Sequence, residues 1–403
     1  MSFVRVMVAA LGGVLIVAIL WDAFEAIVLP RRVSRRIRLM HVVVMGSWRL
    51  LSQIARRMRP GKARERYLGF FGPLSLLLLL CVWGIGLVVG FALLHWSFAS
   101  RVSVPEEAHA TFGIYLYMSG VTFFTLGFGD VIPLTTIGRA VAVVEAGVGF
   151  GFLAIVIGYL PVIYQGFSKR EIHISLLDAR AGSPPSAMEL LIRHGREKSM
   201  TQLTELLRDW ERWSAELLES HLSYPVLAFF RSQHENQSWL AGLTTILDAC
   251  TLLIAGIKDA PPAWQAKLTF AMARHALVDL AQVFNTPPVA PEPERLPPFD
   301  LAQMRKSLAA AGLTLRDDEE AQRKLTELRR MYEPYVNAMA GYMFMRLPHW
   351  IPPAQVIDNW QTSAWERNPN AFASSLDEVR SNAETTAERE AVAYQSLPFD
   401  LFY

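Results

Sequence analysis

Three long apolar stretches constrain the fold of this chain more than any other feature. They occupy residues 4–29, 73–95 and 138–164 of a 403-residue sequence. As a helix, each stretch is long enough to cross a hydrocarbon core about 30 Å thick. The residues after 165 have the composition of a soluble protein. The sequence therefore predicts an all-α membrane protein with a separate helical C-terminal domain.

The first stretch allows two interpretations. Arg5 ahead of an apolar run is typical of a secretory signal peptide. The run is too long for one, and no small-x-small cleavage site follows it. Its end is marked by five arginines that resemble a stop-transfer cluster, namely Arg31, Arg32, Arg35, Arg36 and Arg38. We therefore expect residues 1–30 to form a retained transmembrane helix.

A six-residue run between the second and third stretches can expose backbone carbonyl oxygens, a hydroxyl and a carboxylate. Two glycines alternate with side-chain residues in it, so its backbone can align successive carbonyl oxygens along one edge. Rings of such oxygens replace the water around a dehydrated cation, and carboxylates at the mouth concentrate cations. The run consists of Thr125, Leu126, Gly127, Phe128, Gly129 and Asp130, and we refer to it as the 125–130 run.

Residues 73–164 resemble the pore of potassium channels, in particular the family with two membrane helices and one pore loop per subunit. Besides the 125–130 run, residues 115–124 look like the short pore helix of that family. A Pro-x-Thr and a Gly-Arg pair follow at the family's positions, as Pro133, Thr135, Gly138 and Arg139. The matched pattern is the order outer helix, pore helix, filter and inner helix.

The resemblance implies a homotetramer, because one pore loop supplies only a quarter of each oxygen ring. It implies passive conduction of K⁺, with no enzyme activity and no cofactor beyond the transported ion. The ion would be bound by backbone and hydroxyl oxygens of Thr125, Leu126, Gly127 and Phe128. The resemblance does not imply a nucleic-acid partner.

The 125–130 run departs from the commonest family pattern at two positions. Leu126 replaces the usual Val, and Phe128 replaces a Tyr whose hydroxyl bonds to pore-helix aromatics, here Tyr115 or Tyr117. A weakly selective cation channel is therefore an alternative. A third interpretation is a membrane-anchored sensor or scaffold whose pore does not conduct.

The third stretch contains residues that weaken helices. Gly149 aligns with the family's gating hinge, and Pro161 offers a second place to bend. Close helix packing is the competing role, since Gly147 and Gly151 form a Gly-x-x-x-Gly pair. Helical spacing predicts that an apolar set lines the cavity below the filter, unless it faces lipid or the core: Phe150, Leu153 and Ile157.

Ionisable residues inside apolar stretches are costly and suggest function. Glu145 is expected to lie behind the filter and to bond Thr122 or Ser119, so we assign Tyr117, Thr122 and Glu145 to support of the pore helix and filter. Asp22 and Glu25 lie on one face near the end of the first stretch. They are expected to extend towards Arg31 and Arg32 at the membrane boundary.

Basic residues predict the orientation. Residues 31–66 contain twelve Lys and Arg against one acidic residue, Glu65, so this loop is expected in the cytoplasm. The N-terminus then lies outside, in a multi-pass protein of the cell (inner) membrane. Within the 31–67 loop, residues 42–57 predict an amphipathic helix at the cytoplasmic surface that contacts anionic lipid.

The predicted pore domain spans residues 68–166 and the helical cytoplasmic domain residues 167–403. Helical patterns cover 203–217, 237–257, 263–283, 301–311 and 317–345, with 287–298 as a linker and Ser199 with Gln202 as a capping box. Residues 239–257 are mostly apolar, but Asp248 at their middle favours a buried bundle helix over a fourth span. Motifs for nucleotides or metals are not visible, and the pattern does not identify a cytoplasmic ligand or protein partner.

Overall fold

A computed structural model describes residues 3–27, 39–98, 102–103, 111–233, 236–257 and 260–352. The membrane part contains α1 (Phe3–Ile27), α2 (Leu39–Arg57), α3 (Lys62–Gly69), α4 (Phe71–Ser97), α5 (Phe112–Phe123) and α6 (Thr136–Ala181). A short antiparallel pair, β1 (Val102–Ser103) and β2 (Ile132–Pro133), flanks α5. The C-terminal domain contains α7 (Ala187–Arg196), α8 (Met200–Ser223), a 3₁₀ segment (Pro225–Phe229), α9 (Trp239–Ala255), α10 (Ala263–Val283), α11 (Pro298–Ala310), α12 (Glu319–Arg330) and α13 (Glu333–Met343).

Three helical segments of the described chain are long and apolar enough to cross a membrane. They are Phe3–Ile27, Lys62–Ser97 and Thr136–Ala181. They contain residues 4–27 of the first predicted stretch and all of the second and third, while residues 28 and 29 lie outside the described residues. The prediction of an all-α membrane protein is confirmed. Residues 353–403, which we assigned to the helical C-terminal domain, lie outside the described residues.

Glycines let α1 and α4 pack closely. A Cβ atom at Gly12 would lie 2.8 Å from the Gly90 carbonyl oxygen, and one at Gly90 would lie 2.7 Å from the Ile16 side chain. Further along α1, Ile19 packs on Gly86. Because the numbers rise on α1 as they fall on α4, the two helices run antiparallel. Small residues at such crossings allow the close contact that holds helices together in lipid.

Asp22 of α1 holds the beginning of α2. Its carboxylate accepts hydrogen bonds from the backbone N–H groups of Leu39 and Met40, at 3.0 and 3.2 Å. It also accepts one from the indole of Trp83 on α4, at 2.9 Å. The first N–H groups of a helix have no acceptor within the helix, so a buried carboxylate there stabilises the start of the helix by accepting their hydrogen bonds. Arg31 and Arg32 lie outside the described residues, so the extension of Asp22 towards them stays a prediction.

The predicted amphipathic helix exists as α2, but its apolar face is covered by the protein itself. Trp48 lies 4.8 Å, between ring centroids, from both Phe71 of α4 and Phe229 of the C-terminal domain. Tyr342 and Phe344 complete this aromatic cluster. Helix α2 thus joins the membrane part to the C-terminal domain, while contact with lipid stays a prediction.

The third apolar stretch is only the first part of a much longer helix. Helix α6 has 46 residues and is therefore about 69 Å long. It continues through Pro161, past residue 164 where the apolar stretch ends, and across the predicted domain boundary after residue 166. Hydropathy could not reveal the extension, because it is amphipathic and buries Arg170, Ile174 and Leu177 against that domain.

Helix α9 is a buried element of the C-terminal bundle, as predicted. Its Asp248 is fully buried and accepts hydrogen bonds from the Arg295 guanidinium, one of them at 2.7 Å, and from the Tyr332 hydroxyl. Arg295 comes from the proline-rich residues 287–298, so the predicted linker also supplies a buried counter-charge. A paired carboxylate is tolerated in a core where a lone one is not.

Two local predictions in this domain are wrong. Ser199 makes no side-chain cap on α8, whereas Ser186 caps α7 by accepting a hydrogen bond of 3.2 Å from the Glu189 N–H. The predicted helix over 317–345 is two helices, α12 and α13. Pro334 lies in the first turn of α13, where its missing N–H costs nothing but where a continuing helix would need that group.

Candidate functional site

The backbone of the 125–130 run alternates between two conformations. Thr125, Gly127 and Gly129 have φ angles of 56°, 64° and 77°, whereas Leu126 and Phe128 between them do not adopt positive φ. Only glycine adopts the left-handed region without strain. Such alternation turns successive carbonyl oxygens towards the same edge, which is the arrangement that can coordinate a dehydrated cation.

The start of this run is fastened to the end of α5. The Thr125 N–H donates to the Thr122 carbonyl at 3.1 Å, and the Leu126 N–H donates to the Val121 carbonyl at 2.9 Å. The helix ends at Phe123, so the negative end of its dipole lies beside the run. Predicted pore helix and run are thus directly connected.

Tyr117 reaches the other end of the run. Its hydroxyl donates a hydrogen bond of 2.8 Å to the Asp130 carboxylate. We placed Tyr117 among the supporting residues on its position in the pore helix, without foreseeing Asp130 as its partner. The contact closes a loop of the chain from α5 through the run and back to α5.

Glu145 lies behind α5 in a fully buried polar cluster. One of its carboxylate oxygens accepts a hydrogen bond from the Ser119 hydroxyl, as predicted, and the other lies 3.2 Å from His95 Nε2. Thr122, the other predicted partner, does not bond Glu145. His95 was missed, because a histidine at the end of an apolar stretch is usually a boundary residue.

The Pro-x-Thr and Gly-Arg positions have local structural roles. The Thr135 side chain accepts a hydrogen bond of 3.1 Å from the Gly138 N–H and so caps α6. Arg139 Nε donates to the Pro133 carbonyl at 3.2 Å, and Pro133 pairs with Val102 in the short ladder. These contacts fix the path from the 125–130 run into α6.

Helix α6 passes very close to the end of α5. A Cβ atom at Gly149 would overlap the carbonyl oxygen of Phe123, so this glycine is needed for packing whether or not the helix bends there. Pro161 lies inside α6 without ending it. The hinge at these two positions stays a prediction.

The predicted cavity residues share one uncovered face of α6. Phe150, Leu153 and Ile157 are 69%, 54% and 63% exposed in the single chain. Among the described residues, none covers this side of the helix, which suits a surface shared with other copies. Their lining of a cavity stays a prediction.

Side chains of the described residues are the other possible source of metal ligands. Within the ranges that the structure covers, histidine, cysteine, aspartate and glutamate form no group that could hold a metal ion. The candidate ligands for an ion are the backbone oxygens and the Thr125 hydroxyl of the 125–130 run, because of the alternating backbone there.

Comparison with known proteins supports this location. Residues 78–165 match the family described as ion channel. The matched range contains most of α4, all of α5, the 125–130 run and the membrane part of α6. The chain is 22% identical over 244 residues to the uncharacterized membrane protein YdjJ of Bacillus subtilis (strain 168), covering 60% of this chain and 70% of that protein. No solved structure matches the chain significantly.

Proposed function

We propose that the protein is a potassium-selective channel that conducts K⁺ passively, because residues 78–165 match the ion-channel family. The alternating backbone at Thr125, Gly127 and Gly129 carries this proposal. Successive oxygens along one edge give several adjacent sites of favourable but shallow binding, and repulsion between neighbouring ions helps each to leave. No step of this process requires enzyme chemistry.

The proposed assembly is a homotetramer in the cell membrane. A single run offers one edge of oxygens, whereas a dehydrated cation needs oxygens on all sides. The uncovered face with Phe150, Leu153 and Ile157 suits a cavity around the same axis. The excess of basic residues in the loop before α4 supports an orientation with the N-terminus outside and the C-terminal domain in the cytoplasm.

We also propose that the C-terminal domain controls opening. Arg170 of α6 donates hydrogen bonds of 2.8 Å to the carbonyl oxygens of Leu227 and Phe230 at the 3₁₀ segment. The Phe230 ring in turn packs on Gly72 at the start of α4. The domain therefore contacts both membrane helices that flank the pore loop, and a shift of the 3₁₀ segment would move one relative to the other.

Arg170→Gln tests this control, because it shortens the donor and removes the charge while the helix remains. Open probability in single-channel recordings should change, with conductance and ion preference unchanged. Arg180→Gln, on the same helix with its guanidinium exposed, is the matched control. An open probability unaltered by Arg170→Gln and by truncation after Arg170 would assign the domain to assembly alone.

Flux through purified protein in liposomes, under K⁺ and then Na⁺ gradients, tests conduction. Gly127→Ala should abolish K⁺ flux, because alanine at a φ of 64° is strained by about 1–2 kcal/mol in each subunit. Gly46→Ala in α2, where a Cβ atom meets nothing within 4 Å, should conduct normally. Equal K⁺ and Na⁺ flux would support the weakly selective alternative, which the missing hydroxyl at Phe128 favours. Absence of flux would support a sensor or scaffold.

A further inference from the structure

Three polar residues from three helices meet behind the pore loop, away from the 125–130 run. His95 belongs to α4, Ser119 to α5 and Glu145 to α6, and each is 0% exposed. The Ser119 hydroxyl lies within hydrogen-bond distance of both the Glu145 carboxylate and the Val88 carbonyl oxygen, the latter at 2.7 Å. This cluster is the place where the pore helix is tied by side chains to both membrane helices.

The charge of the cluster is constrained by its burial. Lone charges in a site without water are strongly disfavoured, whereas a pair of opposite charges or a neutral pair is tolerated. His95 Nε2 and a Glu145 carboxylate oxygen are 3.2 Å apart, so the protons of the two groups are counted together. With one proton between these two atoms and a second on His95 Nδ1, the net charge of the pair is zero. Without the second proton the net charge is minus one, and with a third proton, on the carboxylate, it is plus one.

The other ring nitrogen of His95, Nδ1, lies outside the contact with Glu145. It is buried and makes no hydrogen bond among the described residues, so no neighbour holds a proton there. Within the cluster, His95 from α4 and Ser119 from α5 are the groups that act on Glu145. The other titratable groups of the packed helices are engaged elsewhere: Arg5 of α1 acts on Tyr115, Tyr117 bonds Asp130, and Arg139 bonds Pro133.

From this geometry we infer that His95 is a positioning residue of the pore. In the neutral pair it holds the Glu145 carboxylate against Ser119 and so fixes the pore helix between α4 and α6. A net charge of either sign in the cluster breaks this arrangement and lets the pore helix shift, which disturbs the 125–130 run fastened to its end. Conduction should therefore fall on both sides of a pH optimum. The inference rests on the proposed function, since it concerns how that pore is held.

The test is K⁺ flux by the full-length protein in liposomes, at equal pH on both sides, from about pH 5 to about pH 9, where histidines and perturbed carboxylates titrate. Wild-type flux should fall on each side by up to about tenfold per pH unit, the limit for one titrating proton. His95→Gln cannot reach the net positive state and should lose the acid side of the profile. Glu145→Gln cannot reach the net negative state and should lose the alkaline side.

A further histidine variant serves as a control. His275→Gln changes an exposed side chain of α10. It should keep the wild-type profile of the pore. A profile that is the same in wild type, His95→Gln and Glu145→Gln would overturn the inference.

The unfolding temperature of the same proteins in detergent, measured over the same pH range, separates this inference from the proposed function. Its dependence on pH should flatten in His95→Gln and Glu145→Gln even if no variant conducts. That result without flux would support the shared proton and contradict the channel. Flux with unchanged profiles, and with unchanged unfolding temperatures, would contradict the shared proton and leave the channel standing.

Discussion

The Tyr117 hydroxyl and the Asp130 carboxylate form a hydrogen bond of 2.8 Å between α5 and the C-terminal end of the 125–130 run. The two residues are 13 positions apart in the chain, so the contact closes a loop around the proposed filter. Phe128 has no hydroxyl of its own to bond the pore helix. A Tyr at position 128 could donate a hydrogen bond from the run to the helix. Here the direction is reversed, because the hydroxyl belongs to Tyr117 on the helix and the acceptor is Asp130 on the run.

Tyr117→Phe should therefore weaken K⁺ over Na⁺ discrimination, because the ring remains and only the bond is lost. Reversal potentials with K⁺ on one side and Na⁺ on the other measure this. Asp130→Ala, which removes the acceptor, should have a similar effect, and the double variant should be no worse than either alone, since both remove one contact. Additive effects would show that the two residues act separately.

Gly149→Ala should destabilise the pore domain by about 1–3 kcal/mol, the usual cost of overpacking. The added methyl group would overlap the Phe123 carbonyl oxygen, so α6 and the pore helix must separate. Thermal unfolding in detergent and K⁺ flux should both be reduced. Gly158→Ala, on the same helix with nothing within 4 Å of the new Cβ atom, should preserve both. Equal behaviour of the two variants would show that the approach of α6 to α5 is not tight.

Asp22→Asn should lower the stability of the membrane part by about 1–3 kcal/mol, the cost of leaving buried donors unsatisfied. An amide has one acceptor oxygen, whereas Asp22 serves the N–H groups of Leu39 and Met40 and the Trp83 indole. Trp83→Phe removes one of these three donors. It therefore tests how much of the loss comes from the indole alone. Unfolding temperatures unaffected by Asp22→Asn would mean that α2 is held by its aromatic contacts.

Acid should destabilise the C-terminal domain through His221. Burial, and next the nearby positive charge of Arg170, lower the pKa of His221 well below its usual value of 6.5. The folded domain therefore keeps this imidazole neutral where the unfolded chain binds a proton. Stability should fall as the pH drops below about 6.5, by at most about 1.4 kcal/mol per pH unit.

His221→Gln should flatten this dependence in chemical unfolding monitored by the domain's tryptophans. His275→Gln should leave it as in wild type, because that side chain is exposed. If acid destabilises both variants as strongly as wild type, another group controls the acid sensitivity.

Patterns that depend on a single segment were predictable from the sequence. Apolar length identified the three membrane-capable helices, and the two glycines of the 125–130 run identified the strained backbone. Asp248 within an apolar helix correctly indicated a bundle, since a lone carboxylate in lipid is so costly. Glu145 likewise indicated a buried partner on the pore helix, and Ser119 is that partner.

Contacts between distant segments were not predictable in the same way. His95 and Glu145 are 50 positions apart, and no local pattern connects them. Asp22 was assigned to nearby arginines because sequence neighbours are the visible partners, and its partners at the start of α2 and on α4 were not foreseen. The length of α6 was underestimated because its second half is stabilised by one buried face, and hydropathy averages over all faces.

The unbroken course of α6 imposes a rotational phase on the whole molecule. Each residue added to an α-helix turns everything beyond it by about 100° and moves it by about 1.5 Å. One inserted residue between Tyr164 and Arg170 would thus turn the C-terminal domain out of register with the 3₁₀ contact at α4. Seven would almost restore the rotation but would move the domain about 10.5 Å along the helix axis. Because one continuous helix joins the pore region to the C-terminal domain, the number of residues between Tyr164 and Arg170 is more tightly constrained than the identity of those residues.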